Sequence, residues 1–400
     1  MLEKSVYYFQ LGSLKNWGVF MKGFLPKKVP AQSYSIDSNS CARIEEICNN
    51  LPKLLLTGKV QSTIDSLSKK DLSIKQLLVN QMSQDLKLAM SQLSFIAHAY
   101  IWGDVKPHGK LPEALAKPWV EVAKYQGRPP ILSYASYCLD NWFLINQDEG
   151  ISLENVGLIN NFLGGVDEDW FVTIHVCIED AASGAIEACQ EIAQCDETSS
   201  EKEILNLLNQ IAGSMKKVNS IFARMPEKCD PYIYYHRVRP FIFGTKDNPD
   251  LKEGLVYECQ FDNKPQFFRG ETGAQSSIIP SLDGALQITH TKDHLRHYLY
   301  EMRDYMPPKH RQFISTIENN SMLKKLLDDS SKLANKYNDC LEEIRAFRAM
   351  HLEYAGTYIH KQSQIENPFG RGGSTITGTG GTPFMTYLKK HRDETEQQKK

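Results

Sequence analysis

The sequence predicts a mainly α-helical fold in two domains, and three observations carry that prediction. Apolar residues recur at three- and four-residue spacing along much of the chain. Strand-like alternation is scarce. The length, 400 residues, exceeds what a single core usually organises. A polar, glycine-containing stretch at 147–165 marks the boundary, giving a smaller mixed but mostly helical domain, 1–155, and a larger helical bundle, 156–400.

Residues 1–35 read as irregular, because Pro26 and Pro30 stop a helix. Helical patterns follow at 37–56, 59–67 and 73–102. Pro107, Pro112, Pro118, Pro129 and Pro130 predict turns and extended segments interrupting helices over 106–130. The apolar run 131–144, with Tyr134, Tyr137, Cys138, Trp142 and Phe143, reads as a buried helix. Asp167 or Asp169 is expected to cap the next helix, through Trp170, Phe171, Ile174, Ile178 and Ala181. Ser200 and Glu203 form a capping box ahead of a helix reaching about Met225. The helical pattern at 231–243 is interrupted by Pro240, and patterns at 291–305, 309–318 and 332–361 complete the set. Residues 254–277, rich in Gly and Phe, read as a long structured loop, a kind of segment that is usually functional. Residues 368–382 read as a second, flexible loop, and the charged end, 389–400, as a solvated tail.

Composition excludes several function classes. The net charge of −2 gives no general attraction to nucleic acid or to an anionic membrane. No stretch approaches 18 apolar residues, so neither a membrane span nor a signal peptide is expected. The nine cysteines are scattered, odd in number and free of any CxxC pair. Reduced thiols in the cytoplasm fit that pattern, and any haem would be held non-covalently.

Chemistry concentrates at His351. Tyr337, Leu341, Ile344, Phe347, Tyr354 and Tyr358 form a stripe of period 3.6, and His351 falls on it, so its imidazole points into a core. Such a histidine either ligates iron through one ring nitrogen or hydrogen-bonds a backbone carbonyl. Arg348, one turn earlier, needs a partner. Tyr234, Tyr235, Arg237 and Arg239 make an aromatic and basic cluster. It suits a pocket for a small aromatic anion, with a ring stacked on Tyr and a carboxylate paired with Arg, and equally suits plain helix packing. His290, His294 and His297, at i, i+4 and i+7, lack a fourth ligand and read as a solvated face rather than a zinc site. The run Gly-Thr-Gly-Gly-Thr at 378–382 lacks the Lys of a phosphate-binding loop and reads as a hinged lid.

These segments together resemble the indoleamine 2,3-dioxygenase family over roughly Ala99 to Arg392. The stretches that carry the resemblance are AYIWG (99–103), PPILSYASYCLDNW (129–142), DPYIYYHRVRPFIFG (230–244), GLVYE (254–258), AQSS (274–277), YEMRDYMPPKHR (300–311), RAMHLEY (348–354) and GTGGT (378–382). The resemblance implies a b-type haem, bound non-covalently in a helical large domain, with the small domain covering its distal side and a glycine-rich lid at 364–382. It implies His351 as the proximal iron ligand and Arg348 with Asp283 as a charged pair behind it. Arg239 matches the residue that grips the substrate carboxylate. Tyr234 and Tyr235 match positions beside the indole, and Tyr134, Cys138 and Phe171 its pocket. Thr272, Gly273 and Ala274 match the loop over the distal haem face, and Thr379 lies in the lid. One position departs from the family: the small hydroxyl residue facing dioxygen in well-known members aligns with His175.

The expectation is a haem dioxygenase that inserts O2 across the C2–C3 bond of the L-tryptophan indole to give N-formylkynurenine. Its partners are L-tryptophan or a related indole, O2, and an external reductant that keeps the iron ferrous. A haem-binding oxygen carrier or sensor would need only His351 and His175; Arg239 in an aromatic pocket speaks against it. A related haem enzyme acting on a modified tryptophan remains the other expectation.

Overall fold

The computed structural model describes residues 23–328, 330–365 and 384–400, and they are mainly α-helical. The first half contains α1 (Asn39–Asn49), α2 (Leu51–Leu56), α3 (Val60–Asp65), α4 (Lys75–Val79), α5 (Ser83–Trp102) and α6 (Glu113–Gln126). The helical runs expected there are present but broken. Pro52 opens α2, and Gln81, at φ 51°, separates α4 from α5. Pro118 was expected to interrupt helical structure and instead lies inside α6. The second half contains α7 (Val166–Ala181), α8 (Ser183–Ile192), α9 (Glu201–Phe222), α10 (Pro231–Ile233), α11 (Ile278–Ala285), α12 (His294–Met302), α13 (Pro308–Asn320), α14 (Leu323–Leu326), α15 (Ser331–Ala355) and α16 (Phe384–Glu396).

Two short sheets tie distant segments together. β1 (Lys110–Leu111) pairs in parallel with β4 (Val256–Tyr257), and β2 (Trp142–Leu144) pairs antiparallel with β3 (Val156–Leu158). The run 131–144 is therefore not one helix. A single wide turn, Ala135–Leu139, gives way to β2 because Asn141 takes over the backbone bonding. Its side-chain amide donates to Tyr137 O and Asn160 O, and its Oδ1 accepts Asn160 N–H. Apolarity without a clear period did not distinguish strand from helix.

Neither acid caps α7. Gly165 holds the N-cap position, while Asp167 accepts the N–H of Asp230 at 2.7 Å and Asp169 lies in the first turn. The Ser200 cap holds, accepting the N–H of Glu203 at 3.2 Å, and α9 ends at Phe222. The charged end is not a solvated tail. It forms α16, which packs on α15 and buries Glu394 and Thr395.

Two large buried clusters form the interior. One joins α1–α6 to residues 131–144 and to Phe241–Tyr257 from much later in the chain. The other joins α7, α8, α9, α11, α13 and α15. The stack α7 on α9 on α15 forms one side of the cavity described next.

Candidate active site

A cavity of about 680 Å³ opens between α7, α9, α15 and the loop 270–280. That volume falls in the ordinary range for a buried ligand or cofactor. Its walls are largely aromatic and aliphatic, including Phe171, Met215, Val218, Phe222, Tyr234 and Phe347. The local backbone is unusual at three of its tyrosines. Wide π-type turns occupy Ala135–Leu139, directly after Tyr134, Tyr234–Val238, and Gly356–His360, which contains Tyr358. Such turns re-aim side chains that a regular helix would carry past the site.

His351, on α15, faces this cavity. Burial first, and the charge of His175 second, push it down to about 4, so its imidazole is neutral at physiological pH. Neither ring nitrogen makes a hydrogen bond among the described residues, which leaves a lone pair for a metal. The expectation of a core histidine bonded to a carbonyl is thereby set aside.

Behind it, Arg348 is buried and reaches Asp283 with one nitrogen 2.8 Å from Oδ1 and 2.7 Å from Oδ2. It also bonds Thr395 Oγ1 and, at 3.3 Å, His391 O, both on α16. Burial would raise Asp283, but Arg348 and then His290 outweigh it and hold the carboxyl at about 2. His290 bridges two carboxylates, Asp283 at 3.1 Å and Glu394 at 2.7 Å, and stacks on His391 with ring centres 4.3 Å apart. The expected histidine face is absent: α12 starts at His294, where Asp293 caps it, and His290 lies before it. His290, His391 and Glu394 lie close enough to share an ion. The bonds His290 already makes, and the positive Arg348 beside it, account for the cluster without one.

Across the cavity lies His175, one turn after Phe171 on α7. Its Nδ1 sits 2.7 Å from Phe171 O. A carbonyl only accepts, so Nδ1 carries the hydrogen and Nε2 is an acceptor. Burial lowers the pKa of His175, which keeps the ring in that neutral form. Tyr134 stands edge-on to it, with centroids 5.9 Å apart.

Arg239 lines the cavity with no exposed surface, its guanidinium 5.0 Å from the Tyr235 ring centre and 4.6 Å from that of Phe243. Burial lowers its pKa, without bringing it near neutrality for a guanidinium. Tyr134, Phe171, Tyr234, Thr272, Gly273 and Ala274 line the same space. Thr272 caps the turn that follows, Gly273–Gln275. Cys138 and Tyr235 do not line it; Cys138 is fully buried behind the wall and Tyr235 supports Arg239. Thr379 and the Gly378–Thr382 run fall outside the described residues.

Sequence reasoning missed two buried acids. Glu179 Oε1 accepts from Tyr134 Oη at 2.9 Å and from Ser276 Oγ at 2.8 Å, and burial pushes its carboxyl up to about 7. Its position four residues after His175 was a readable signal. Glu271 lines the cavity, and burial pushes it up to about 8. As an acid inside the Gly- and Phe-rich loop it also stood out in the sequence.

The chain matches the family model for indoleamine 2,3-dioxygenase over residues 13–398. It is 34% identical to indoleamine 2,3-dioxygenase 1 of Rattus norvegicus over 362 residues, covering 88% of this chain and 87% of that one. It is 31% identical to indoleamine 2,3-dioxygenase of Saccharomyces cerevisiae, covering 93% and 90%. It is 28% identical to 6-hydroxytryptophan 2,3-dioxygenase of Fusarium equiseti, covering 93% and 94%. A helical fold with an aromatic cavity between two histidines, and a family match spanning nearly the whole length, lead to one assignment: this chain belongs to the indoleamine 2,3-dioxygenase family and is an oxidoreductase of that type.

Proposed function

We propose that the cavity holds a haem b, bound non-covalently through His351, and that the enzyme opens the indole ring of L-tryptophan by inserting both atoms of O2 across C2–C3, giving N-formylkynurenine. The observation that carries this is His351: a neutral imidazole, free of hydrogen bonds among the described residues, facing an aromatic cavity. The residues present fit the group. A neutral nitrogen donor is what haem iron takes, and aliphatic and aromatic walls suit the macrocycle. When bound there, haem supplies the iron at which dioxygen is activated.

The chain's own groups do the rest. Arg348 and Asp283 anchor α15 to α11 and α16, which fixes where His351 points. Arg239 takes the substrate carboxylate as a charge-assisted pair. Phe171 and Tyr234, with ring centres 4.7 Å apart, form an aromatic wall for the indole. His175 presents Nε2 as an acceptor, suited to the indole N–H. Tyr134, held by Gln275 at its backbone and by Glu179 at its hydroxyl, completes the wall. An external reductant keeps the iron ferrous, and the free cysteines support a cytoplasmic location. A helical domain from 156 onward carries the haem, covered by the domain 1–155. A relative named for 6-hydroxytryptophan keeps modified tryptophans within the substrate class.

The test is an absorption spectrum of the purified protein with haem, with and without tryptophan, together with chromatographic detection of N-formylkynurenine. His351→Ala loses the Soret band or most haem affinity. Full retention of a histidine-ligated spectrum in that variant would overturn the assignment.

A further inference from the structure

His98, on α5, is fully buried, does not line the cavity, and has no part in the reaction just described. Both of its ring nitrogens are nonetheless engaged. Nδ1 lies 2.7 Å from Phe241 O, and Nε2 lies 3.0 Å from Leu132 N. A carbonyl only accepts and a backbone N–H only donates, so Nδ1 carries the hydrogen and Nε2 accepts. Burial keeps the ring in that neutral form, pushing it down to about 4 against the bond to Phe241.

The two backbone groups belong to turns that carry cavity side chains. Phe241 comes two residues after Arg239, and Leu132 two residues before Tyr134. The bonding continues from both. Next to Phe241, Ile242 O accepts Glu271 N–H at 3.0 Å. Gly244 and Gly270 cross beside that bond so closely that a Cβ on Gly270 would stand 2.2 Å from Gly244 N. Gly270 O then accepts Gln275 Nε2 at 2.8 Å, and Gln275 Oε1 accepts Tyr134 N–H at 2.9 Å. Tyr134 leads back to Leu132 and His98. Five hydrogen bonds thus close a circuit through α5 and residues 132–134, 239–242 and 270–275. His98 and Gln275 are its side-chain links, each giving one donor and one acceptor.

Packing holds the His98 link at both ends. The Phe241 ring stacks on Phe162 with centres 4.9 Å and planes 12° apart, and the His98 ring meets Trp119 edge-on at 6.1 Å. An apolar residue at 98 would fill the core equally well. It would leave Phe241 O and Leu132 N–H without the bonds His98 gives them, which is costly in a buried place. We propose that His98 is a positioning residue for substrate capture: through this circuit it holds the turn of Arg239 in register with the turn of Tyr134, so that the guanidinium meets the substrate carboxylate while the ring lies on the aromatic wall. The proposal rests on reading the cavity as an indole dioxygenase site.

The experiment uses the holoenzyme and measures by calorimetry the binding of L-tryptophan and of tryptamine, which lacks the carboxylate. His98→Met fills the space without either bond. It weakens tryptophan about tenfold, as an opened buried hydrogen bond allows, and tryptamine less than about threefold. His98→Gln, which keeps one donor and one acceptor, restores most of the loss. In an Arg239→Ala background His98→Met has no further effect on tryptophan, because both changes act on one contact. Amide exchange read by mass spectrometry needs no ligand: His98→Met speeds exchange over 131–135, 240–245 and 270–275 together and leaves α9 unchanged. If His98→Met does not fold, Gln275→Met opens the circuit at its other link and gives the same two readouts. The proposal is overturned if the variant weakens both ligands by the same factor, or neither, or if exchange rises in 131–135 alone. Those results leave the dioxygenase reading standing, because the parent still binds tryptophan. A parent holoenzyme that binds neither indole removes the dioxygenase reading and the capture role with it.

Discussion

Replacing Asp283 by Asn separates two roles of the charged group behind His351. Asp283 takes both hydrogen bonds from one nitrogen of Arg348 and a third from His290. Its carboxyl is held at about 2, against an ordinary 3.8, a difference of about 1.8 units. At 1.36 kcal/mol per unit, that is about 2.4 kcal/mol of folding stability. The sign follows from a depressed acid: the contribution is complete above the unfolded value near 4 and is lost as pH falls through about 2. Half of it, about 1.3 kcal/mol, remains at pH 3 by the same relation. Asn also leaves the buried Arg348 without its counter-charge, a change that generally costs about 3–5 kcal/mol. The expected deficit at pH 7 is therefore about 3 kcal/mol. For a chain of this length, unfolding as one unit, that is a drop of about 3–4 °C in Tm. Urea denaturation of both proteins at pH 7 and pH 3 measures it. An Asn variant as stable as the parent at pH 7 would refute the reasoning, and so would a deficit that does not shrink at pH 3.

Three further outcomes follow from the same geometry. Arg239→Ala weakens tryptophan binding at least tenfold while haem stays bound, because a charge-assisted bond is worth about 1.5–3 kcal/mol; equal binding by calorimetry would move the carboxylate site elsewhere. With Nδ1 of His175 committed to Phe171 O, Nε2 accepts, so 1-methyltryptophan is a poor substrate and His175→Ala narrows its gap to tryptophan. An unchanged ratio of their kcat/KM values would count against that role. Glu179 is an acid raised to about 7, so its burial costs stability increasingly as pH climbs from about 4.5 to about 7. Glu179→Gln is accordingly more stable relative to the parent at pH 8 than at pH 5, and a pH-independent difference in Tm would sink that account.

The legible parts of this site were those with a periodic or local signal. His351 was readable because helix geometry alone aims it inward, and Arg348 because a charge on the same side demands a partner. The Ser200 cap was readable because capping is local. What sequence reasoning misread depends on pairing between distant residues. Residues 131–144 have the apolarity of a buried helix, but Asn160 recruits Asn141 and only the end of the run, Trp142–Leu144, is strand. The last residues look like a solvated tail, yet Glu394 and Thr395 are buried because His290 and Arg348 bind them. The histidines at 290, 294 and 297 have helical spacing, but Asp293 caps the helix between the first and the second.

The placement of the two imidazoles follows from a single stack of helices. Phe171, His175 and Glu179 fall at i, i+4 and i+8 on α7, so they share one face and move together. Phe171 supplies the carbonyl that fixes the His175 tautomer and a ring 4.7 Å from Tyr234; Glu179 fixes Tyr134. α7 packs on α9, and α9 packs on α15, which carries His351 and Arg348. Met215, Val218 and Phe222 line the cavity from α9, between the two outer helices. The helix that carries His175 and the helix that carries His351 are thus each braced against α9. His175 is held in place because it sits on a helix face already committed at both neighbouring turns, by Phe171 before it and Glu179 after it.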